Sequence, residues 1–462
     1  MLFGVPGLKR TLSGFFVCIL LTVASVSCGY NSSGNQYRQG SIKFRAFVSN
    51  PVHPNGAGGG AAALEIVDAS RDLLSPSLVP LNQVPDAGMM AVSPKRDSTL
   101  TYSPSNHALA IVANAQDSVV ATVSLPGPTE SMFVWIDNTT AFVAVPNAAV
   151  AGQPAGAVQR IDISTAATTA TIPIPGAHFL VPSPSGNQIL VISDSANTVT
   201  LFAPSLIGSG NPLTTIQNMA GCSPNLDLLN PCTFDRPVWG VFSSDGTKAY
   251  VLNCGQECGG NSFSTSRCPL LFCGSVTVLD MATTTPGTPM PLPNAGATIG
   301  ILSGSTLFIA GTAPPVQFGQ NTCSGSAPST TAASCGELTA IDAGSVSVTG
   351  SAIITDGYHD RMEMGANGQL FIGGRNCTNI KIVGGEVRGC LTIANTSSGS
   401  ISSVTAARDN GNVTGIEPIP NRHVVYVCEG GQLKIYDTTT DKLQTTQVSV
   451  TGQAIDVKVV DF

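Results

Sequence analysis

The chain of 462 residues is short of charge: Asp, Glu, Lys and Arg make up only 11% of it, against about 25% in an average soluble domain. Its 21 Lys and Arg are outnumbered by 28 Asp and Glu, for a net charge of −7, and the basic residues form no runs. Phosphate neutralisation needs clustered Lys and Arg, so no nucleic-acid partner is expected. Gly-x-Ser-x-Gly, His-Glu-x-x-His, a phosphate loop and an EF-hand loop do not occur, and neither does Cys-x-x-Cys-His. Those absences remove the motif-borne hydrolase, zinc-protease, nucleotide, calcium and c-type haem readings. No cofactor is expected. What the chain has in quantity is turn formers, 49 Gly and 31 Pro, mixed with apolar residues in the manner of an all-β protein.

The first 28 residues read as a targeting segment. Lys9 and Arg10 precede an apolar stretch, Gly14 to Val26, which is shorter than the roughly 20 residues needed to span a bilayer. A positive start, a short apolar run and a small-residue exit describe a secretory signal peptide. Ser25-Val26-Ser27-Cys28 resembles a bacterial lipobox, with Ser25 where Leu is usual, which makes Cys28 the expected lipidation site. Residues 29–41 then read as a flexible tether, and 42–462 as the folded domain. The expected location is the periplasm or cell surface, with membrane contact through the lipid anchor only.

Of the 13 cysteines, Cys18 and Cys28 belong to that segment. An oxidising compartment turns close pairs into disulfides. Proximity pairs Cys222 with Cys232, Cys254 with Cys273 around Cys258 with Cys268, Cys323 with Cys335, and Cys377 with Cys390. Four cysteines between 254 and 273 allow three connectivities, and a zinc site there is the competing reading. Cys428 is left over, as a buried free thiol or as half of an intermolecular bridge.

One phrase recurs along the chain: an alternating apolar strand, an Asp or Asn corner, a Thr/Ser-rich bend and another short strand. Its corner falls at Asp68, Asn114, Asp162, Ala203, Asp280, Asp342, Asn395 and Asp437. The shorter intervals, 41 to 48 residues, match four-stranded propeller blades, and the longer ones hold the cysteine pairs as insertions. Each unit begins with a hairpin, as in FLVPSPSGNQILVISDS and WGVFSSDGTKAYVLNC. The first unit lacks an innermost strand, and the chain ends with the lone strand AIDVKVVDF. The expectation is therefore an all-β fold, a single β-propeller of eight four-stranded blades (seven if one irregular unit merges), with the ring closed by the C-terminal strand.

Three segments carry a family resemblance: ILVISDSANTVTLF at 189–202, AYVLNC at 249–254 and VVYVCEGGQLKIYD at 424–437. In these the chain resembles the YVTN-type β-propellers of exported bacterial and archaeal proteins, which adjoin the lactonase-like propellers. The resemblance implies the architecture, and none of the three segments spells the family's own tetrapeptide.

On a propeller, the loops between second and third strands share one face with the links between blades. The proposed disulfides all fall on that face. Long braced loops on a rigid scaffold point to a binding surface for a cell-envelope protein or glycan. Polar groups at the starts of inner strands ring the mouth of the central channel: Glu130, His178, Asp235, Arg236, His359, Asp360 and Arg361, with Asp86, Glu417 and Asp456 beside them. A lactonase-like hydrolase would use such groups as acid/base or to hold a metal, and is the alternative to a non-catalytic binding protein. A structural spacer in an envelope assembly is a third reading. Trp135 and Trp239 fall in inner strands, where packing is their expected role.

Overall fold

The repeat folds as its period requires. The computed structural model describes residues 42–54, 60–193, 196–223, 230–258, 274–292, 296–312, 336–355, 357–377, 390–396, 399–406 and 411–461. Phe44–Phe462 form one unit, and the targeting segment and tether lie outside the described residues. The strands make eight antiparallel sheets, seven of four strands and one of five, each a meander except the first. The fifth strand is Met290–Pro291, which pairs with Ser275–Asp280 in the fifth blade. The eight-blade count holds, and the seven-blade alternative falls.

In the first blade the innermost strand is Asp456–Val459, from the far end of the chain, paired with Arg45–Pro54. Each inner strand touches the inner strand of the next blade all the way round, and Val413–Pro418 against Asp456–Val459 closes the ring.

Blade packing explains why the middle strands read as nearly unbroken apolar runs. A strand's side chains alternate between its two faces, and a propeller sheet is covered on both. In Thr140–Val145 every residue is buried. Ala141, Val143 and Val145 pack towards the second blade, while Phe142 and Ala144 pack towards the fourth. Eight such apolar clusters lie one between each pair of neighbouring blades.

The corner aspartates end the third strand of a blade. Asp162 Oδ1 accepts hydrogen bonds from the Ser164 and Thr165 N–H groups at 2.8 and 3.1 Å. Asp280, Asp342 and Asp437 do the same for the residues two or three positions on. These local bonds hold the tight bend open for the fourth strand. One residue past each bend adopts a left-handed φ, among them Ala166, Thr284, Val346 and Asp441.

Candidate functional site

Inner strands begin on the face that carries the second-to-third-strand loops and the blade links, and there they surround a cavity of about 890 Å³. Two arcs of its wall differ in chemistry. The fourth and fifth blades give an aromatic arc. His178 stacks on Phe179 with centroids 4.1 Å apart, and Phe179 meets Trp239 edge-on at 5.8 Å. The Trp239 indole N–H donates to the Gly300 carbonyl at 3.0 Å, which fixes the ring at the wall. Trp135, by contrast, is buried between the third and fourth blades. The packing expected of both tryptophans is thus the whole role of Trp135 and part of the role of Trp239.

The seventh blade gives a charged arc. Asp360 pairs with Arg375 and lies 3.4 Å from Arg361 Nη1. Arg361 Nε also donates to the Thr414 carbonyl at 2.8 Å, tying the seventh blade to the eighth. From the link before the third blade, Glu130 reaches His178 Nε2 at 3.4 Å. The hydrogen bond from His178, with Arg375 and Arg361 nearby, holds the Glu130 carboxyl below its usual range against the opposing effect of burial.

Asp456, Lys458 and Glu363 also line the cavity, and Glu417 stands behind Lys458. Lys458 Nζ is 3.3 Å from Glu417 and 3.9 Å from Asp456. Burial is the largest single cause and lowers the Lys458 pKa, but these carboxylates and Glu363 together outweigh it and raise the value, so it stays charged. Burial is the main cause that pushes the Glu363 carboxyl up to about 7, with Glu417 and Asp456 adding to it and Lys458 opposing.

Of the sequence-read residues, Asp86, Glu130, His178, Asp360, Arg361 and Asp456 do line the cavity. Four others do not, and of these Glu417 stands just behind Lys458. His359 is fully buried, because the strand register shifts between His359 and Arg361 and turns its ring away from the channel. Gly336 leaves room for that ring, since a Cβ there would sit 2.5 Å from its Cε1. Burial holds the His359 pKa at about 4, which makes it a neutral imidazole and no channel-mouth acid or base. Asp235 and Arg236 stay in the link to the fifth blade, away from the cavity wall. There the Arg236 N–H donates to Asn197 and the Asp235 N–H reaches Asn253 Oδ1.

Sequence reading missed Glu363, Arg375 and Lys458. Charged residues on an inner strand, where one side faces the channel, were the available signal for Glu363 and Lys458; Arg375, at the end of a second strand, gave none.

The disulfides rim this face. Cys222–Cys232 braces the link into the fifth blade, and Cys377–Cys390 joins the end of the second strand of the seventh blade, just after Arg375, to the start of its third. Cys254 pairs with Cys258 and not with Cys273, so the nested pairing is corrected. A one-turn 3-10 helix, Gly255–Cys258, opens on Gly255 at φ 66° and brings the two Cα atoms to 5.7 Å. That bond also removes two ligands from the zinc alternative. Cys268, Cys273, Cys323 and Cys335 lie outside the described residues. Cys428 is a buried free thiol in the eighth blade, and burial raises its pKa well above the ordinary thiol value. Among the described residues no helix is long and apolar enough to cross a membrane, and no cluster of three or more metal-ligating side chains occurs.

Fold and site together define a disulfide-bearing, eight-bladed β-propeller with a walled central cavity. No family model matches the chain, the YVTN-type propellers included, and no curated protein matches it. Solved structures do share the fold. Dihydro-heme d1 dehydrogenase NirN in complex with DHE is 11% identical, with a TM-score of 0.59, covering 91% of this chain and 75% of that one. Kuenenia stuttgartiensis hydrazine synthase is 12% identical, with a TM-score of 0.51, covering 80% of this chain and 97% of that one. At these identities the likeness is one of fold.

Proposed function

We propose that this chain is an exported binding protein, anchored through a lipid on Cys28, that takes a glycan of the cell envelope at the mouth of its central cavity. One observation carries the reading. The cavity of about 890 Å³, within the range of about 300–1,000 Å³ typical of ligand sites, opens on the disulfide-braced face. Aromatic rings there offer apolar platforms for the C–H faces of a sugar, and the fixed charged groups offer partners for its hydroxyls. A concave site of this size suits an oligosaccharide better than the broad flat surface of a protein.

The test is a glycan array probed with the purified domain, alongside Trp239→Ala and Tyr358→Ala, which remove two aromatic side chains of the cavity wall. Binding lost in both variants, with unchanged folding, is the expected result, and no glycan bound by the wild type overturns the reading. Export and anchoring are checked by intact mass of the protein from its native envelope, where Cys28 is expected at the N-terminus carrying diacylglycerol.

A hydrolase at the same mouth has one observation in its favour, the Glu363 carboxyl at about 7, where a general acid/base is most effective. A panel of lactones and esters with no turnover by the wild type would dispose of it.

A further inference from the structure

Carboxylates outnumber permanent cations on the cavity wall, five to three, and four of the five are already engaged. Asp86 accepts from the Ser105 N–H and hydroxyl at 3.0 and 2.9 Å. Glu130 holds His178, and Asp360 holds Arg361 and Arg375. Asp456 accepts from the Met90 and Val457 N–H groups at 2.8 and 2.9 Å. Lys458 is taken by Glu417. Among the described residues Glu363 has neither a hydrogen bond nor an ion pair, yet it is half-buried and lines the cavity.

The groups around it come from every neighbouring element. The inner strand of the sixth blade, Ile299–Ser303, and the strand behind it, Thr306–Thr312, bring no titratable side chain. The second strand of its own blade brings Arg375, held by Asp360. The inner strands of the eighth and first blades bring Glu417, Asp456 and Lys458.

We propose that Glu363 receives the ammonium group of the ligand, so that the glycan recognised at this mouth is one bearing a free amine, such as a deacetylated hexosamine. The inference rests on the glycan reading above and narrows it to a substrate class. An ammonium supplies the one missing partner in the wall and offsets its negative excess, and nearby aromatic faces favour a cation. An N-acetylated sugar would leave the Glu363 carboxyl unmatched. An anionic sugar would have to displace Asp360 from its two arginines.

Calorimetry with two probes, the fully deacetylated trimer of glucosamine and its N-acetylated counterpart, tests this. The deacetylated trimer is expected to bind roughly tenfold or more tightly near pH 7, with the preference falling towards pH 5, where Glu363 is protonated, and towards pH 9, where the amine is neutral, and disappearing in Glu363→Gln. Binding at pH 6, where the sugar amines are mostly charged and Glu363, titrating at about 7, is mostly protonated, should release more than about half a proton per ligand, read from two buffers of different ionisation enthalpy. That measurement needs no variant, so a folding defect in Glu363→Gln cannot mask the result. Equal binding of the two trimers, or no proton release, overturns the ammonium inference and leaves the glycan reading standing. Binding of other glycans but neither trimer does the same. No glycan bound at all overturns both. A lysine-tipped peptide that displaces the trimer with the same Glu363 dependence would replace the glycan with a protein ligand.

Discussion

Away from the channel mouth, where Glu130 meets His178, the interface between the third and fourth blades is apolar. Phe142 sits edge-on to Trp135 at 5.4 Å and to Phe202 at 5.5 Å, with Val158, Leu180 and Val191 closing the cluster. The seam between the eighth and first blades has an apolar cluster as well, but adds a lattice of charge. Arg422 clasps Asp72, with Nη2 to Oδ2 at 2.8 Å, and Tyr426 donates its hydroxyl to the same carboxylate. Across it Glu417 takes both Lys458 and the Val459 N–H at 3.0 Å, and beside it Arg45 fixes the end of the closing strand through Asp461 within the first blade and reaches Asp117 of the second. Connectivity accounts for the difference. The third and fourth blades follow each other in the chain, so their sheets are held close and burial alone suffices. At the seam Arg422 meets a residue 350 positions away in the chain, and Arg45 ties the closing strand into the first blade across 416. Loop entropy rises only slowly with such length, so the greater need is register: a one-residue slip of the closing strand would turn its side chains to the wrong face. Charged bonds at fixed positions supply that discrimination.

The largest expected effect comes from removing the closing strand. Truncation after Gln453 leaves the first blade without its innermost strand and Arg45–Pro54 with an open edge. The product is expected to lose its cooperative thermal transition and to associate, read by circular dichroism and size-exclusion chromatography. A truncated chain that melts like the full one would mean that the ring is held by its other interfaces alone.

Phe142→Ala should rank next, at about 3–5 kcal/mol in chemical denaturation, because a fully buried ring leaves a cavity between two blades. At the seam, Asp72→Ala should cost less, about 2–3 kcal/mol, since Arg422 keeps some access to water. The informative variant is the double one, Asp72→Leu with Arg422→Met. If the seam charges serve register more than energy, the pair costs less than Asp72→Ala alone. A double variant at least as damaging as the single would show that the ion pair itself stabilises the ring.

Glu363→Gln sharpens the contrast between interface and channel. A carboxyl raised from 4.5 to about 7 binds more protons folded than unfolded between those values, so it costs stability as pH rises through that window. The amide should therefore leave the protein unchanged below about pH 4 and stabilise it by on the order of 2–3 kcal/mol near pH 8. A wild type and variant that differ equally at both pH values would contradict it.

What could be read from the sequence was what is local or periodic. The corner at Asp162 is bonded to residues two and three positions away, so its phrase marks every blade in which it is spelled. The lone strand at the C-terminus was legible because an unpaired strand at one end matched a missing one at the other. Glu363 and Lys458 on the cavity wall were not: they share no motif and meet only because the inner strands of the seventh and first blades converge there. His359 and Cys254 were misread for a related reason. A register shift of one residue turns the imidazole into the core, and a single 3-10 turn chooses the nearer sulfur. Neither leaves a trace in spacing.

The smallest effects belong to the turns, and they separate what every blade shares from what the seam alone has. Hydrogen bonds from Ser164 and Thr165 hold the Asp162 carboxyl below its usual range, and those from Thr439 and Thr440 do so for Asp437, against the opposing effect of desolvation in each. In the hairpin turn of the fifth blade, Ser243 and Thr247 bring Asp245 down to about 2. A lowered carboxyl contributes stability that is fully present above its unfolded pKa, near 3.8, and is lost as pH falls through the folded value. Asp245→Asn should thus melt slightly below the wild type at pH 7, and the gap should close as the pH approaches 2. Asp162 lies in the third blade and Asp437 in the eighth, beside the seam. Equal, small shifts in melting temperature for the two Asn variants at pH 7 would place the corners outside the closure. A larger loss at Asp437 would extend the seam to the bend of the last blade.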